Sequence, residues 1–242
     1  DASGKPVGFR AVGRDITDMV QAEESLQMAN RKLSLLSRIT RHDILNQVTA
    51  LMLYLDLARE QVDSPPMAEF LGKMERVGHN IERQVAFTKE YEDIGVHAPV
   101  WQDMRKVLRD ALHAFDLSLV RIECDVHDLE VYADPLLERV FYNLVENALK
   151  HGGGISTLAI GTTMSSYGLI LSFEDDGIGI PCDEKEKIFE KEYGKSSGFG
   201  LFLAREILDI TGISIIETGE PGVGARFEVF LPKGTFRGVK RK

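Results

Sequence analysis

Hydrophobic residues fall into two regimes along this chain. From Met19 to Thr88 they recur at spacings of three and four, whereas beyond Trp101 short apolar runs alternate with helical stretches. In the first regime Met19, Leu26 and Leu33 repeat every seven residues, as do Ala22, Ala29 and Leu36. These are the d and a positions of a heptad seam. The period continues through Ile39, Ile44, Val48, Leu51, Met52, Leu55, Ala58 and Val62. Leu51, Leu53, Leu55 and Leu57 also alternate with period two, but a run of Leu, Met and Ala with helical flanks reads as helix rather than strand. Asp63-Ser64-Pro65-Pro66 breaks it, because proline lacks the amide donor and clashes with the preceding turn. A second helix follows, with Phe70 or Leu71, Met74, Val77, Ile81, Val85 and Thr88 on one face. So short a break makes the two helices antiparallel neighbours. Two helices cannot enclose a core, so the hairpin is expected to pair with a second copy as a dimeric four-helix bundle.

Residues 1–16 carry Gly4, Pro6, Gly8 and Gly13 around a short apolar stretch, a turn and one strand, and Asp15 or Thr17 can cap the helix that follows. Ile94 to Val100, with Gly95 and Pro99, reads as a linker. Beyond it Trp101 to Phe115 is helical, and Leu119 to Val126 and Leu129 to Ala133 are strand-like. Asp134-Pro135 opens another helix, with aspartate as N-cap and proline at the first helical position. Strand-like runs Ile155–Thr163 and Leu169–Asp175 come next, then a helix over Gly200 to Thr211 and strands over Ile213–Glu217 and Ala225–Leu231. The second regime is thus a sheet backed by helices, and the whole chain is α+β and multidomain.

Composition narrows the class little. At 242 residues, 43% hydrophobic and 28% charged, the chain has the make-up of a water-soluble protein of one or two domains. A net charge of -9 argues against a nucleic-acid surface, and the basic cluster Arg237 to Lys242 reads as a solvated tail. Cys124 and Cys182 form neither a metal-ligand nor a disulfide pattern; Cys124 is expected in the core and Cys182 in a polar loop. No apolar run approaches the roughly 20 residues that span a bilayer, so no membrane contact is expected within this fragment. The sequence begins at Asp1 without methionine, which reads as a fragment, and a membrane segment upstream would lie outside it.

Several polar motifs stand out against this pattern. Asn143, Asn147 and Lys150 are four and three apart on one helix, so they share a face. Asparagine is a poor interior helix residue unless it has something to bond. Two on one face suggest polar groups aimed into a pocket, although a solvated stripe accounts for them equally well. An amide oxygen there can take one position on Mg²⁺, which otherwise keeps waters and phosphate oxygens. Asp175 ends a strand before Gly177 and Gly179, glycines that let backbone approach a ligand; alone, this reads as a tight turn. Gly198-Phe199-Gly200-Leu201 leads into a helix whose free amides can hold phosphate. The segment from Pro181 to Ser197 is lysine-rich, with Phe189 and Tyr193, and reads as a lid carrying Lys187, Lys191 and Lys195. Ordinary surface charge is the commoner explanation for any one of these lysines. Gly194-Lys195-Ser196 is not a P-loop, since Phe189 stands where that motif needs its first glycine. His42 and Asn46, four apart, share a helix face in the first regime. Asp43, adjacent to His42, diverges from it unless its carboxylate bends back onto one ring nitrogen and leaves the other nucleophilic.

In this order the motifs resemble those of the sensor histidine kinases. Asn143–Lys150, Asp175–Gly179 and Gly198–Leu201 look like the N, G1 and G2 boxes of the GHKL ATPases, Phe189 like the F box, and Gly222-Val223-Gly224-Ala225-Arg226-Phe227 like the last glycine motif. Arg38 to Asn46 resembles the H box, with aspartate in place of the commoner glutamate after the histidine and no proline after the box. Gly8 to Thr17 is similar to the last strand of a PAS sensor domain and the junction after it. The resemblance implies the end of a truncated PAS domain over 1–16 and a coiled-coil signalling helix over 17–40. It further implies a dimerisation and phosphotransfer hairpin over 35–94, a GHKL (Bergerat) α/β sandwich over 100–235, and a basic tail over 236–242. It also implies that ATP with Mg²⁺ is bound by Asn143, Asn147, Lys150, Asp175, Gly177, Gly179, Lys195, Gly198, Gly200 and Leu201. Asp175 would sit on the adenine amino group and Asn147 on the metal. His42 would receive the phosphoryl group with help from Asp43 and Asn46, and would pass it to an aspartate of a response-regulator receiver domain docked near Ile44 to Leu55. The expected setting is cytoplasmic and homodimeric. Hydrolases of the superfamily carry glutamate where Asn143 stands, and an amide cannot serve as base, so transfer rather than hydrolysis is expected. A form biased toward dephosphorylating the regulator, and a nucleotide-binding scaffold without catalysis, are the alternatives.

Overall fold

The structure, a computed structural model, describes residues 17–60, 64–191, 193 and 199–238, with side chains from Ser37 onward, Arg38 excepted. The expected PAS strand over 1–16, the heptad side chains up to Leu36, the candidates Lys195 and Gly198 and the tail beyond residue 238 lie outside that description.

Two helices form the first regime, α1 (Thr17–Glu60) and α2 (Pro65–Asp93). Pro65 and Pro66 occupy the first turn of α2, where a missing N–H costs nothing. Val48 and Leu55 of α1 and Leu71 and Val85 of α2 are buried. Gly78 lets the helices meet, since a Cβ there would fall 2.5 Å from Met52 Sδ. Arg59 to Glu75 and Arg41 to Glu92 tie the flanks at 3.0 and 2.8 Å. The seam differs from the expected face: Val77 is 57% exposed and Phe70 is also exposed, together with Leu51, Leu53, Tyr54 and Leu57. The hairpin therefore has a second apolar face that its own two helices leave uncovered. Among the described residues no helix is long and apolar enough to cross a membrane.

The second regime begins with β1 (Val100–Asp103), a strand that the helical reading of Trp101 to Phe115 missed. It pairs antiparallel with β3 (Leu129–Ala133). Asp103 then caps α3 (Met104–His113), its carboxylate accepting from Arg105 N at 2.9 Å. A five-stranded mixed sheet follows, in the order β2 (Arg121–Asp125), β4 (Thr157–Met164), β5 (Gly168–Asp175), β7 (Arg226–Pro232), β6 (Ser214–Glu217). β2 and β4 run parallel, which requires the crossover through β3 and α4 (Leu137–His151). α4 starts two residues later than expected. Asp134 caps a preceding turn instead, taking Leu136 N at 2.8 Å and Gly95 N at 3.0 Å.

α5 (Gly200–Asp209) completes the helical layer. Apolar faces of α3, α4 and α5 share one core with the sheet, in which Phe141, Leu144, Phe173, Leu171 and Leu208 are almost wholly buried. Two expectations fail at the sheet edges. The stretch beginning at Phe236 is not all tail: Phe236–Gly238 forms β8 and pairs with β3. Cys124 is exposed, because β2 is an edge strand.

Candidate functional site

Asp175 is the last residue of β5, between β4 and β7. Its side chain is buried, and its Oδ1 accepts from Gly177 N at 2.9 Å and Ala225 N at 3.2 Å. Burial pushes this carboxyl above its ordinary value, the two amides pull it back, and the nearby Asp176 and Glu217 charges add to the rise. Oδ2 carries neither of these bonds. Asp176 behaves oppositely. Its exposed carboxylate accepts from the Ser156 hydroxyl at 2.5 Å and from the Ser156 and Thr157 amides, and is pulled down to about 2. Asp176 therefore pins the start of β4, and Asp175 is the residue free to face a ligand.

Glycines let the turn that follows this carboxylate pass close to two neighbouring stretches of backbone. A Cβ on Gly177 would meet Gly152 O at 2.5 Å, and Gly179, at φ +68, passes 2.6 Å from Glu220 O by the same measure. Ile178 N donates to Gly152 O, and Gly222 N to Ile178 O. The Asp175–Gly179 turn is thereby clamped between the end of α4 and the 218–225 loop.

On α4, Asn143 and Asn147 have different roles. Asn143 is buried, and its Nδ2 donates to Gly200 O at 2.8 Å, so it ties α4 to the start of α5. Asn147 is half-buried one turn on, and its amide makes no hydrogen bond among the described residues. Lys150 is exposed and paired with Glu146 at 2.7 Å. Leu201 contributes its side chain to the core, so only its backbone can serve a ligand. The first turn of α5 has no side-chain cap, leaving its amides available to an anion. Phe189 is buried edge-on against Phe227, with the Arg205 guanidinium 4.2 Å above its ring. Lys187 is exposed, and Lys191 lies over the Phe87 ring at 5.7 Å. Among the described residues no group of three or more His, Cys, Asp and Glu is arranged to hold a metal. An Mg²⁺ ion needs fewer, since it keeps waters and phosphate oxygens around one or two protein ligands. The unengaged Asn147 amide fits that requirement.

His42 sits on the exposed surface of α1. The Asp43 carboxylate does bend back, with Oδ1 3.2 Å from His42 Nδ1. Asn46 Nδ2 lies 3.3 Å from Nδ1 and 3.4 Å from Nε2. The neighbouring Arg41 crosses to α2, donating to Thr88 Oγ1 at 3.2 Å and to Glu92. Burial raises the Glu92 carboxyl, but its bonds from Ser37 and Arg41 outweigh this and hold it below the usual range.

Contacts between α2 and the sheet domain were not anticipated from the sequence. Phe87 stacks on Phe199 with centroids 4.0 Å apart, Tyr91 faces Phe202, and Arg139 forks onto Glu90 at 3.2 and 2.5 Å. The available signal was Phe87 and Tyr91 four apart on one helix face. Lys185 and Glu217 were missed as well.

A family model described as histidine kinase-, DNA gyrase B- and HSP90-like ATPase matches residues 133–235. The chain is 26% identical over 248 residues to the alginate biosynthesis sensor protein KinB of Pseudomonas aeruginosa, covering 95% of this chain and 40% of KinB. It spans well under half the length of the curated relatives it matches. Its fold is similar to full-length ShkA in complex with AMPPNP, at TM-score 0.60 and 18% identity over 87% of this chain and 47% of ShkA. It is also similar to histidine kinase ThkA in complex with the response regulator TrrA, at TM-score 0.56 and 24% identity over 92% of this chain and 69% of ThkA. With these matches and this site together, the chain belongs to the sensor histidine kinases and carries a GHKL-type ATP-binding domain.

Proposed function

We propose that this chain is the core of a sensor histidine kinase that phosphorylates its own His42 from ATP and passes the phosphoryl group to an aspartate of a response-regulator receiver domain. The observation that carries the reading is the His42–Asp43 contact. A carboxylate on Nδ1 favours the tautomer whose lone pair lies on Nε2, and that nitrogen attacks once the Asn46 amide, 3.4 Å from it, swings aside. As Nε2 bonds to the γ-phosphorus, the bond from that phosphorus to the β–γ bridging oxygen breaks and ADP leaves. Asp43 takes the Nδ1 proton, so the ring does not carry a full positive charge. Phosphoryl transfer asks the protein mainly for position and charge neutralisation. In the sheet domain Asp175 is the acceptor for the adenine amino group, the Gly177–Gly179 turn admits the base, and the uncapped start of α5 receives phosphate. Asn147 offers its amide oxygen to Mg²⁺, which when bound neutralises phosphate charge. Asn143 cannot activate water, and its amide is already committed to Gly200.

The exposed apolar face of the hairpin, with Leu51, Leu53, Leu57, Phe70 and Val77, supports pairing with a second copy as a four-helix bundle. The expected setting is cytoplasmic. Incubation with γ-labelled ATP and Mg²⁺ tests the reading. Acid-labile, base-stable label should form, vanish in His42→Ala and fall strongly in Asn147→Ala. Label that persists in His42→Ala would overturn it.

A further inference from the structure

Besides Asp175, the sheet domain buries a second carboxylate beside the site, and that one has a dedicated cation. Glu217, at the end of β6, has a side chain with 0% exposure. Its Oε1 accepts from Gly219 N at 2.9 Å and Arg226 N at 3.1 Å. Its Oε2 has no other polar partner among the described residues than Lys185 Nζ, at 2.8 Å. Lys185 reaches in from the segment after Pro181 and also donates to Gly219 O. The Arg226 guanidinium turns the other way, to Glu174 and Glu228.

The two buried carboxylates grip adjacent residues. Asp175 holds Ala225 N, and Glu217 holds Arg226 N, the next amide along the chain. Asp175 N in turn donates to Ala225 O at 3.0 Å. There is no slack to absorb a shift, because a Cβ on Gly219 would fall 2.6 Å from Arg226 N. Displacing Glu217 therefore displaces Ala225 and the Asp175 carboxylate. Two anions in so dry a setting repel unless one is offset; Lys185 offsets part of the Glu217 charge, and what remains still pushes the Asp175 carboxyl up.

We propose that Lys185 and Glu217 are positioning residues for base recognition, holding Ala225 and thereby aiming the Asp175 carboxylate at the exocyclic amine of adenine. The proposal rests on the assignment of Asp175 to that amine. A plain structural clamp would support all nucleotides alike, whereas this pair supports only those with the amine.

The test is calorimetric binding of ADP and of inosine diphosphate, which carries a carbonyl in place of the amine, to the full chain. Lys185→Met should weaken ADP on the order of tenfold, the worth of a hydrogen bond to a charged group, and leave inosine diphosphate unchanged. Adding Glu217→Gln removes the stranded charge while its amide oxygen still accepts from Arg226 N, so the double variant should regain the selectivity of the parent. Equal weakening of both nucleotides by Lys185→Met, or no weakening, overturns the proposal. If Lys185→Met does not fold, Glu217→Ala decides, since it removes the acceptor for Arg226 N: selective weakening of ADP supports the pair, and equal weakening of both nucleotides, or none, overturns it. Asp175→Asn runs alongside. If it leaves the ratio unchanged, the base assignment itself falls; if it collapses the ratio and Lys185→Met does not, only the positioning role falls.

Discussion

Asn143 joins two elements through one hydrogen bond, which makes the consequence of removing it calculable. Its buried amide donates to Gly200 O at 2.8 Å, across the boundary between α4 and α5. Leucine at this position has similar volume and a slightly better helix propensity, so α4 itself should not suffer. The Gly200 carbonyl keeps a second lone pair for its own helix. Asn143→Leu should therefore cost the net value of one hydrogen bond, about 0.5–1.5 kcal/mol, not the larger penalty of an orphaned group. Expressed in α5, that is roughly 2- to 12-fold faster amide exchange. Asn143→Asp should be worse at neutral pH, since it faces a carbonyl oxygen with a buried anion. The deficit should shrink on acidification, as the protonated acid regains a donor. Hydrogen exchange over residues 200–209, corrected for intrinsic rates, reads both variants. An aspartate variant as protected as the parent, or a leucine variant worse than the aspartate one, would refute the reasoning.

Further expectations concern the same region. A double-mutant cycle of Phe87→Ala and Phe199→Ala on thermal unfolding should show coupling of about 0.5–1.5 kcal/mol; strict additivity would mean the stacked rings contribute nothing. Gly177→Ala should cost about 1–3 kcal/mol, because its Cβ meets backbone at Gly152, and should weaken ADP. Gly72→Ala, in open space within α2, should instead stabilise by about 0.5–1 kcal/mol. Asp175 and Asp176 should give opposite acid slopes in urea midpoints. The lowered Asp176 contributes stability present above its ordinary 3.8 and lost as pH falls toward about 2. The raised Asp175 contributes stability present below 3.8 and lost as pH rises through its folded value. Asp176→Asn and Asp175→Asn should each flatten one slope, and two parallel slopes would contradict the assignment. Affinity for ADP should fall on acidification as Asp175 takes its proton, measured against Asp175→Asn.

Legibility followed the length and burial of each element. β5 and β7 were readable because their inward residues alternate over seven or eight positions. β1 was not, since four residues before a strongly amphipathic helix look like its first turn. β8 was hidden because Arg237 reads as a solvated charge, whereas here it lies over Trp101 and pairs with Glu130. The heptad pattern gave the hairpin but not which apolar residues face inward: Leu71 and Val77 fit one helical stripe equally, and only the partner helix distinguishes them. At the site, spacing placed Asn143 and Asn147 on one face but could not show that one is structural and the other unengaged. The bend of Asp43, the Phe87–Phe199 stack and the Lys185–Glu217 pair join residues by geometry that no local spacing encodes.

The order of the sheet fixes when this protein can first hold a ligand during synthesis. Asp175 lies on β5, but its Ala225 contact and its β7 neighbour come fifty residues later in the chain. A nascent chain that has emerged only as far as Glu217 has the histidine helix, the asparagine helix and the central carboxylate, yet lacks the strand that closes over that carboxylate. Nucleotide can therefore stabilise only a chain whose last strands are in place, and acts as a check on completed folding rather than as a nucleus for it.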